Sequence, residues 1–155
     1  MTRQGNRFEM DKRPTELRDH HRSPSSAPVL FAVDDDLATL DLLREIAREA
    51  GWTVHGFTRL GELRAFLDRE RPNLLILDDD LPDGRGGDLA RELREDGRMT
   101  DVPLVVCTAA HPMRRADITR WAPVIPKPFD LDEIERFLAS AASRRETGDT
   151  YERAG

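Results

Sequence analysis

Leu74-Leu75-Ile76-Leu77 runs straight into Asp78-Asp79-Asp80, and Leu81-Pro82 follows. Four successive apolar residues without alternation describe a strand buried on both faces, as in a parallel sheet covered by helices. The abrupt change to three carboxylates marks the end of that strand. Upstream, Val29 to Val33 is a second apolar run, and it stops in the same way at Asp34-Asp35-Asp36.

Between and beyond these runs the period changes. Leu40, Leu43, Ile46, Ala47 and Ala50 line one helical face, which Gly51 closes. Trp52 to Phe57 reads as a strand. Thr58 is the expected N-cap of a helix carrying Leu63, Phe66 and Leu67, with Pro72 as its stop. After Pro82-Asp83-Gly84-Arg85-Gly86-Gly87, a turn in which Asp83 is expected to serve, a helix is expected from Asp88 to Asp96. Val102 to Cys107 is a fourth strand, Met113 to Trp121 a short helix and Val124-Ile125 a brief fifth strand. Asp130 and Glu133 form a capping-box pattern for a last helix with Leu131, Ile134, Phe137, Leu138 and Ala141 inward.

Five strand–helix units in one stretch predict an α/β fold, a single doubly wound sheet of five parallel strands. A closed eightfold barrel needs about 250 residues, and the whole chain has 155. The expected domain spans residues 27–143. Residues 1–26 are polar and aperiodic and read as a disordered arm, and residues 144–155 read as a flexible tail.

Composition narrows the function. Residues 27–143 hold 15 Lys and Arg against 23 Asp and Glu, an acidic balance that argues against direct nucleic-acid binding. The one cysteine, Cys107, excludes an internal disulfide and reads as a buried small hydrophobe in a reducing compartment. No run approaches the ~20 apolar residues of a membrane span. The expectation is a soluble cytoplasmic protein without membrane association.

In open sheets of this kind ligands bind at the carboxyl ends of the strands. The first strand ends in Asp34-Asp35-Asp36, the third in Asp78-Asp79-Asp80, the fourth in Thr108, and the fifth leads into Lys127. If the first and third strands are neighbours, Asp34, Asp35 and Asp78 share one crevice. Two carboxylates ~4 Å apart repel by about 4 kcal/mol at an effective dielectric near 20, so the group calls for a cation. Hard oxygen donors supplied by few residues suit Mg²⁺, which keeps several waters and accepts a phosphate oxygen. Thr108 offers a hydroxyl to that phosphate and Lys127 a mobile positive charge. Lys127 is conspicuous because the only other lysine is Lys12. These are the parts that phosphoryl transfer requires.

Val33-Asp34-Asp35-Asp36, Leu77-Asp78-Asp79-Asp80-Leu81-Pro82, Cys107-Thr108-Ala109 and Lys127-Pro128-Phe129 resemble, in that order, the motifs of bacterial response regulator receiver domains. The resemblance covers residues 28–142. It implies the flavodoxin-like strand order 2-1-3-4-5. It makes Asp78, four residues before Pro82, the phosphoacceptor. It gives the metal to Asp34, Asp35, Asp78 and the backbone carbonyl of Asp80, with Asp34 acting partly through water. It makes Thr108 the switch hydroxyl, Ala109 the small residue that admits phosphate, and Lys127 the partner of the phosphoryl group. It implies a cis Lys127–Pro128 bond, and Gly86 fits the turn position before the third helix.

The function so implied is a stand-alone phospho-switch. A histidine kinase or histidine phosphotransfer protein donates the phosphoryl group, and the modified surface then binds a protein target. Such a domain is no enzyme in its own right, although it assists its own phosphorylation and dephosphorylation. Receivers often pair through their fourth and fifth helices, which allows a homodimer. The chain departs from the pattern at Val124, where the family carries an aromatic residue, in its short fourth helix, and at Asp80, which adds a charge near the metal. Those departures motivate an alternative, a pseudo-receiver that binds partners without being phosphorylated. A third reading, an Asp-nucleophile phosphohydrolase, puts its D-x-D motif on the first strand, unlike Asp78-Asp79-Asp80. Asp79 reads as a bystander.

Overall fold

The computed structural model describes residues 26–152. The expected arm, residues 1–26, lies outside the described residues apart from Ser26. The chain runs β1 (Val29–Val33), α1 (Leu37–Glu49), β2 (Thr53–Phe57), α2 (Leu60–Leu67), β3 (Leu74–Asp78), α3 (Gly86–Asp96), β4 (Leu104–Thr108), α4 (Pro112–Thr119), β5 (Val124–Pro126) and α5 (Leu131–Glu152). The five strands are parallel, in the order β2-β1-β3-β4-β5. This is the flavodoxin-like doubly wound sheet.

Every residue of β1, β3 and β4 is buried, which explains why these strands are apolar throughout. Alternate side chains enter two separate layers. Phe31, Val33, Leu75, Leu77, Leu104 and Val106 pack beneath α2, α3 and α4 with Leu63, Leu89 and Ile118. Leu30, Ala32, Leu74, Ile76, Val105 and Cys107 pack beneath α1 and α5 with Leu40, Leu43, Ile134 and Leu138. Burying one such Leu, Ile or Phe contributes about 1.5–3 kcal/mol, so the two layers fix the strand register firmly. α1 ends as expected, with Gly51 in the left-handed region at φ 87°.

Three expectations about helices need correction. Thr58 does not cap α2. Its N-cap position is Arg59, which makes no side-chain cap bond. The Asp83 carboxylate accepts instead from the amides of Leu60 and Gly61, both at 2.9 Å, so Asp83 serves a distant helix rather than its own turn. Those amide bonds, Gly61's first, hold the Asp83 carboxyl below its ordinary range. Leu131 is exposed rather than inward, leaving Ile134, Leu138 and Ala141 as the buried stripe of α5. Finally, α5 continues to Glu152, past the boundary at residue 143. A helix already nucleated by docking of its first half adds residues at little further cost, and Arg144, Arg145 and Glu146 are good helix formers at the start of the extension.

Among the described residues no helix is long and apolar enough to cross a membrane.

Candidate functional site

β1 lies between β2 and β3, so the chain turns to opposite sides of the sheet from these two neighbours. The crevice above their carboxyl ends is the place where such sheets bind ligands. Val33 pairs in register with Leu77, which sets Asp34 and Asp78 side by side one step further along each chain. Each of Asp34, Asp35 and Asp78 presents a carboxylate oxygen, and these oxygens all lie within 4.8 Å of one another. Asp34 and Asp78 are buried and Asp35 is exposed, so the group opens to solvent on one side. Asp36 takes no part. It caps α1, accepting from the Ala38 amide at 3.2 Å and the Thr39 hydroxyl at 2.8 Å.

Lys127 arrives from the edge of the sheet. Thr108 is aligned with Pro126, so the residue after Pro126 reaches over the end of β4. The Lys127 amide donates to the Thr108 carbonyl at 2.8 Å, and the Lys127–Pro128 peptide is cis, as the resemblance implied. The Lys127 ammonium lies 2.7 Å from Asp34 Oδ2 and 3.2 Å from Asp78 Oδ1. Burial works to lower the pKa of this lysine, but its bonds and charge contacts with Asp34 and Asp78 outweigh that and raise it. Asp78 moves the other way for a carboxyl: burial first, and the charge of Asp34 second, push it up to about 6. It therefore carries a poorly solvated negative charge at neutral pH.

The remaining expected residues fall around this centre. Thr108 is buried at the end of β4, and its hydroxyl accepts from the Ala110 amide at 2.9 Å. Ala109 is exposed beside it. The Asp80 amide donates to Asp78 Oδ1 at 3.4 Å, and the Asp80 side chain is exposed. Gly86 is indispensable, because a Cβ there would lie 2.1 Å from the Asp78 carbonyl oxygen. Val124, at the position where the family carries an aromatic, is half-buried against the α2–α4 layer.

Asp79 is not a bystander. It is 1% exposed, and its carboxylate accepts from the Gly87 amide at 3.0 Å and from Arg114 Nη2 at 2.9 Å and Nε at 3.1 Å. Burial works to raise its pKa, but the Arg114 bonds and the Gly87 amide hold it below the ordinary range. The available signal was the Gly86-Gly87 pair, which leaves room for a neighbouring group. Nothing local marks Arg114 as the partner.

The donor set fits a small hard cation. Three carboxylates face one ammonium, so the centre carries excess negative charge, the donors are all oxygen, and one of the three is open to solvent.

Known proteins resemble this chain in sequence and in fold. The family model "Response regulator receiver domain" matches residues 30–139. The response regulator MprA of Mycobacterium leprae is 32% identical over 126 residues, 79% of this chain and 54% of that protein. The response regulator protein PmrA of Pseudomonas aeruginosa is 34% identical over 120 residues, 77% of this chain and 54% of that protein. The chain thus spans about half the length of the curated relatives it matches. Among solved structures, a CheY-like receiver domain protein from Methanospirillum hungatei superimposes with a TM-score of 0.70 at 24% identity, covering 79% of this chain and 99% of that one. The beryllofluoride-activated NtrC4 receiver domain dimer gives 0.68 at 19% identity, over 76% and 98%. Since the family match reaches from the first strand into the last helix, this chain belongs to the response regulator receiver domain family of two-component systems.

Proposed function

We propose that this chain is a phosphoacceptor switch in which Asp78 receives a phosphoryl group from a histidine kinase or a histidine phosphotransfer protein. The observation that carries this reading is the placement of the Lys127 ammonium on both Asp34 and Asp78. A phosphoryl group on Asp78 gathers negative charge beside two other carboxylates. The residues around it supply the compensation.

Asp78 Oδ attacks phosphorus, the bond from phosphorus to the donor's nitrogen or oxygen breaks, and its electron pair leaves with the donor. The product is an acyl phosphate on Asp78. Burial favours the attack by stripping water from the carboxylate. Lys127 follows the new charge, and the Thr108 hydroxyl, buried at the neighbouring strand end, donates to a phosphoryl oxygen. Ala109 leaves the approach uncrowded. Asp34, Asp35, Asp78 and the Asp80 carbonyl would hold Mg²⁺, which when bound neutralises the phosphoryl oxygens. The protein is thus no enzyme in its own right, although it assists its own phosphorylation and dephosphorylation. The modified surface is read by a downstream protein, and the dimeric NtrC4 receiver supports pairing of two copies as one such readout.

The test is incubation with a small phosphodonor and Mg²⁺ followed by intact mass. Wild type should gain one phosphoryl group, and Asp78→Asn should gain none. Absence of any gain, with partner binding indifferent to Asp78→Ala, would favour the pseudo-receiver that the Val124 position motivates.

A further inference from the structure

α4 is weakly held. It is an eight-residue helix, Pro112–Thr119, with a single buried side chain, Ile118. A helix this short has little stability of its own and depends on tertiary attachments. Residues 109–111 join it to β4, and on its other side stands the fork of Arg114 on Asp79.

That fork is a built contact. Asp79 is the chain neighbour of Asp78, and its amide donates to the Cys107 carbonyl at 3.2 Å, so its backbone belongs to the end of β3. Its carboxylate supplies the N-terminus of α3 with the cap that Arg85 does not provide. Arg114 adds bonds to Asp88 of α3 at 3.1 Å and to Asp117 at 3.4 Å. The pair fits because residue 87 lacks a side chain: a Cβ at Gly87 would stand 2.9 Å from Asp79 Oδ1 and 3.0 Å from Arg114 Nη2. A bidentate guanidinium–carboxylate pair with its acid 1% exposed is both directional and costly to break.

We propose that Asp79 and Arg114 form a latch that holds α4 in the arrangement of the unmodified protein and so sets how readily a change at Asp78 reaches the α4 surface. The fork ties α4 to the residue next to the phosphoacceptor. It stabilises the arrangement in which Lys127 rests on a bare Asp78 carboxylate. By linkage, a contact that favours this arrangement opposes any group on Asp78 that moves α4, and removing the contact must tighten the binding of such a group. Arg114 and Asp79 are positioning residues, since neither touches the reacting atoms.

The latch rests on the phosphoacceptor reading, and beryllofluoride with Mg²⁺ separates the two. The full chain is titrated with this phosphoryl mimic while Trp121, two residues past the end of α4, reports by fluorescence. Hydrogen exchange over residues 109–119 is measured before and after. In Arg114→Gln and Asp79→Asn, exchange in unmodified α4 should rise, and the apparent beryllofluoride affinity should rise about tenfold. Arg114→Lys keeps the charge without the fork and should fall between. Asp79→Asn keeps an acceptor for the Gly87 amide, and it carries the test if Arg114→Gln does not fold. A responsive wild type whose variants bind no tighter overturns the latch alone and leaves a purely structural pair. A wild type that ignores beryllofluoride overturns the phosphoacceptor reading and the latch with it.

Discussion

The Lys127 ammonium lies 3.2 Å from the Asp78 carboxylate, although it comes from beyond the edge strand and Asp78 ends the central one. The same ammonium is 2.7 Å from Asp34, so one cation neutralises the ends of two neighbouring strands. Since β4 separates β3 from β5, the lysine reaches the acids across the end of that strand, and Thr108 stands where the lysine passes.

Removing this charge should separate two roles. In Lys127→Met the three carboxylates lose their only close ammonium among the described residues, so Mg²⁺ should bind about tenfold more tightly, the equivalent of ~1.4 kcal/mol. The metal-free variant should unfold at a lower temperature, and it should lose its response to beryllofluoride. Calorimetric titration with Mg²⁺ checks the first outcome, and unchanged or weaker binding would count against it.

Asp78 gives a pH dependence whose sign is set by its raised pKa. Burial and the charge of Asp34 lift it from 3.8 to about 6, so between these values the folded chain binds more protons than the unfolded one. Its contribution to metal-free stability is fully present below 3.8 and is lost as pH rises through 6. Asp78→Asn should therefore raise the metal-free unfolding midpoint above pH 6 by a few degrees, and that gain should vanish on acidification below 3.8. Mg²⁺ should stabilise wild type more than the variant. Thermal scans across this range, in chelator and in Mg²⁺, read both effects.

Asp83 titrates with the opposite sign. Its carboxyl is depressed by the amides of Gly61 and Leu60, so the stabilisation is present above 3.8 and is lost as pH falls through the lower folded value. Asp83→Ala should lower the midpoint at neutral pH by a few degrees and speed amide exchange in the first turn of α2. The difference from wild type should close in acid. An unchanged α2 exchange pattern would mean that the helix start is held by something else.

The sheet was legible because strands buried on both faces must be apolar throughout, so the change to polar residues marks where each one ends. That gave Asp34, Asp78 and Thr108 their positions, and Lys127 followed from its rarity beside Pro128. Less legible were residues whose partners lie far away in sequence. Asp79 and Asp83 look like extra charges in acidic turns until Arg114 and the amides of α2 are brought to them by the fold. Thr58 suits an N-cap by residue type, yet Asp83 fills that role from another loop. The extension of α5 to Glu152 follows from docking of its first half, which a local reading of the polar segment after Ser143 does not contain.

Which residue carries the phosphoryl group can be read directly. The chain, incubated with a small phosphodonor and Mg²⁺, is treated with borohydride, which reduces an acyl phosphate and marks its position for peptide mass analysis. The mark should fall on Asp78 alone and disappear on chelation of the metal. A mark on Asp34, Asp35, Asp79 or Asp80 in place of Asp78 would contradict the assignment.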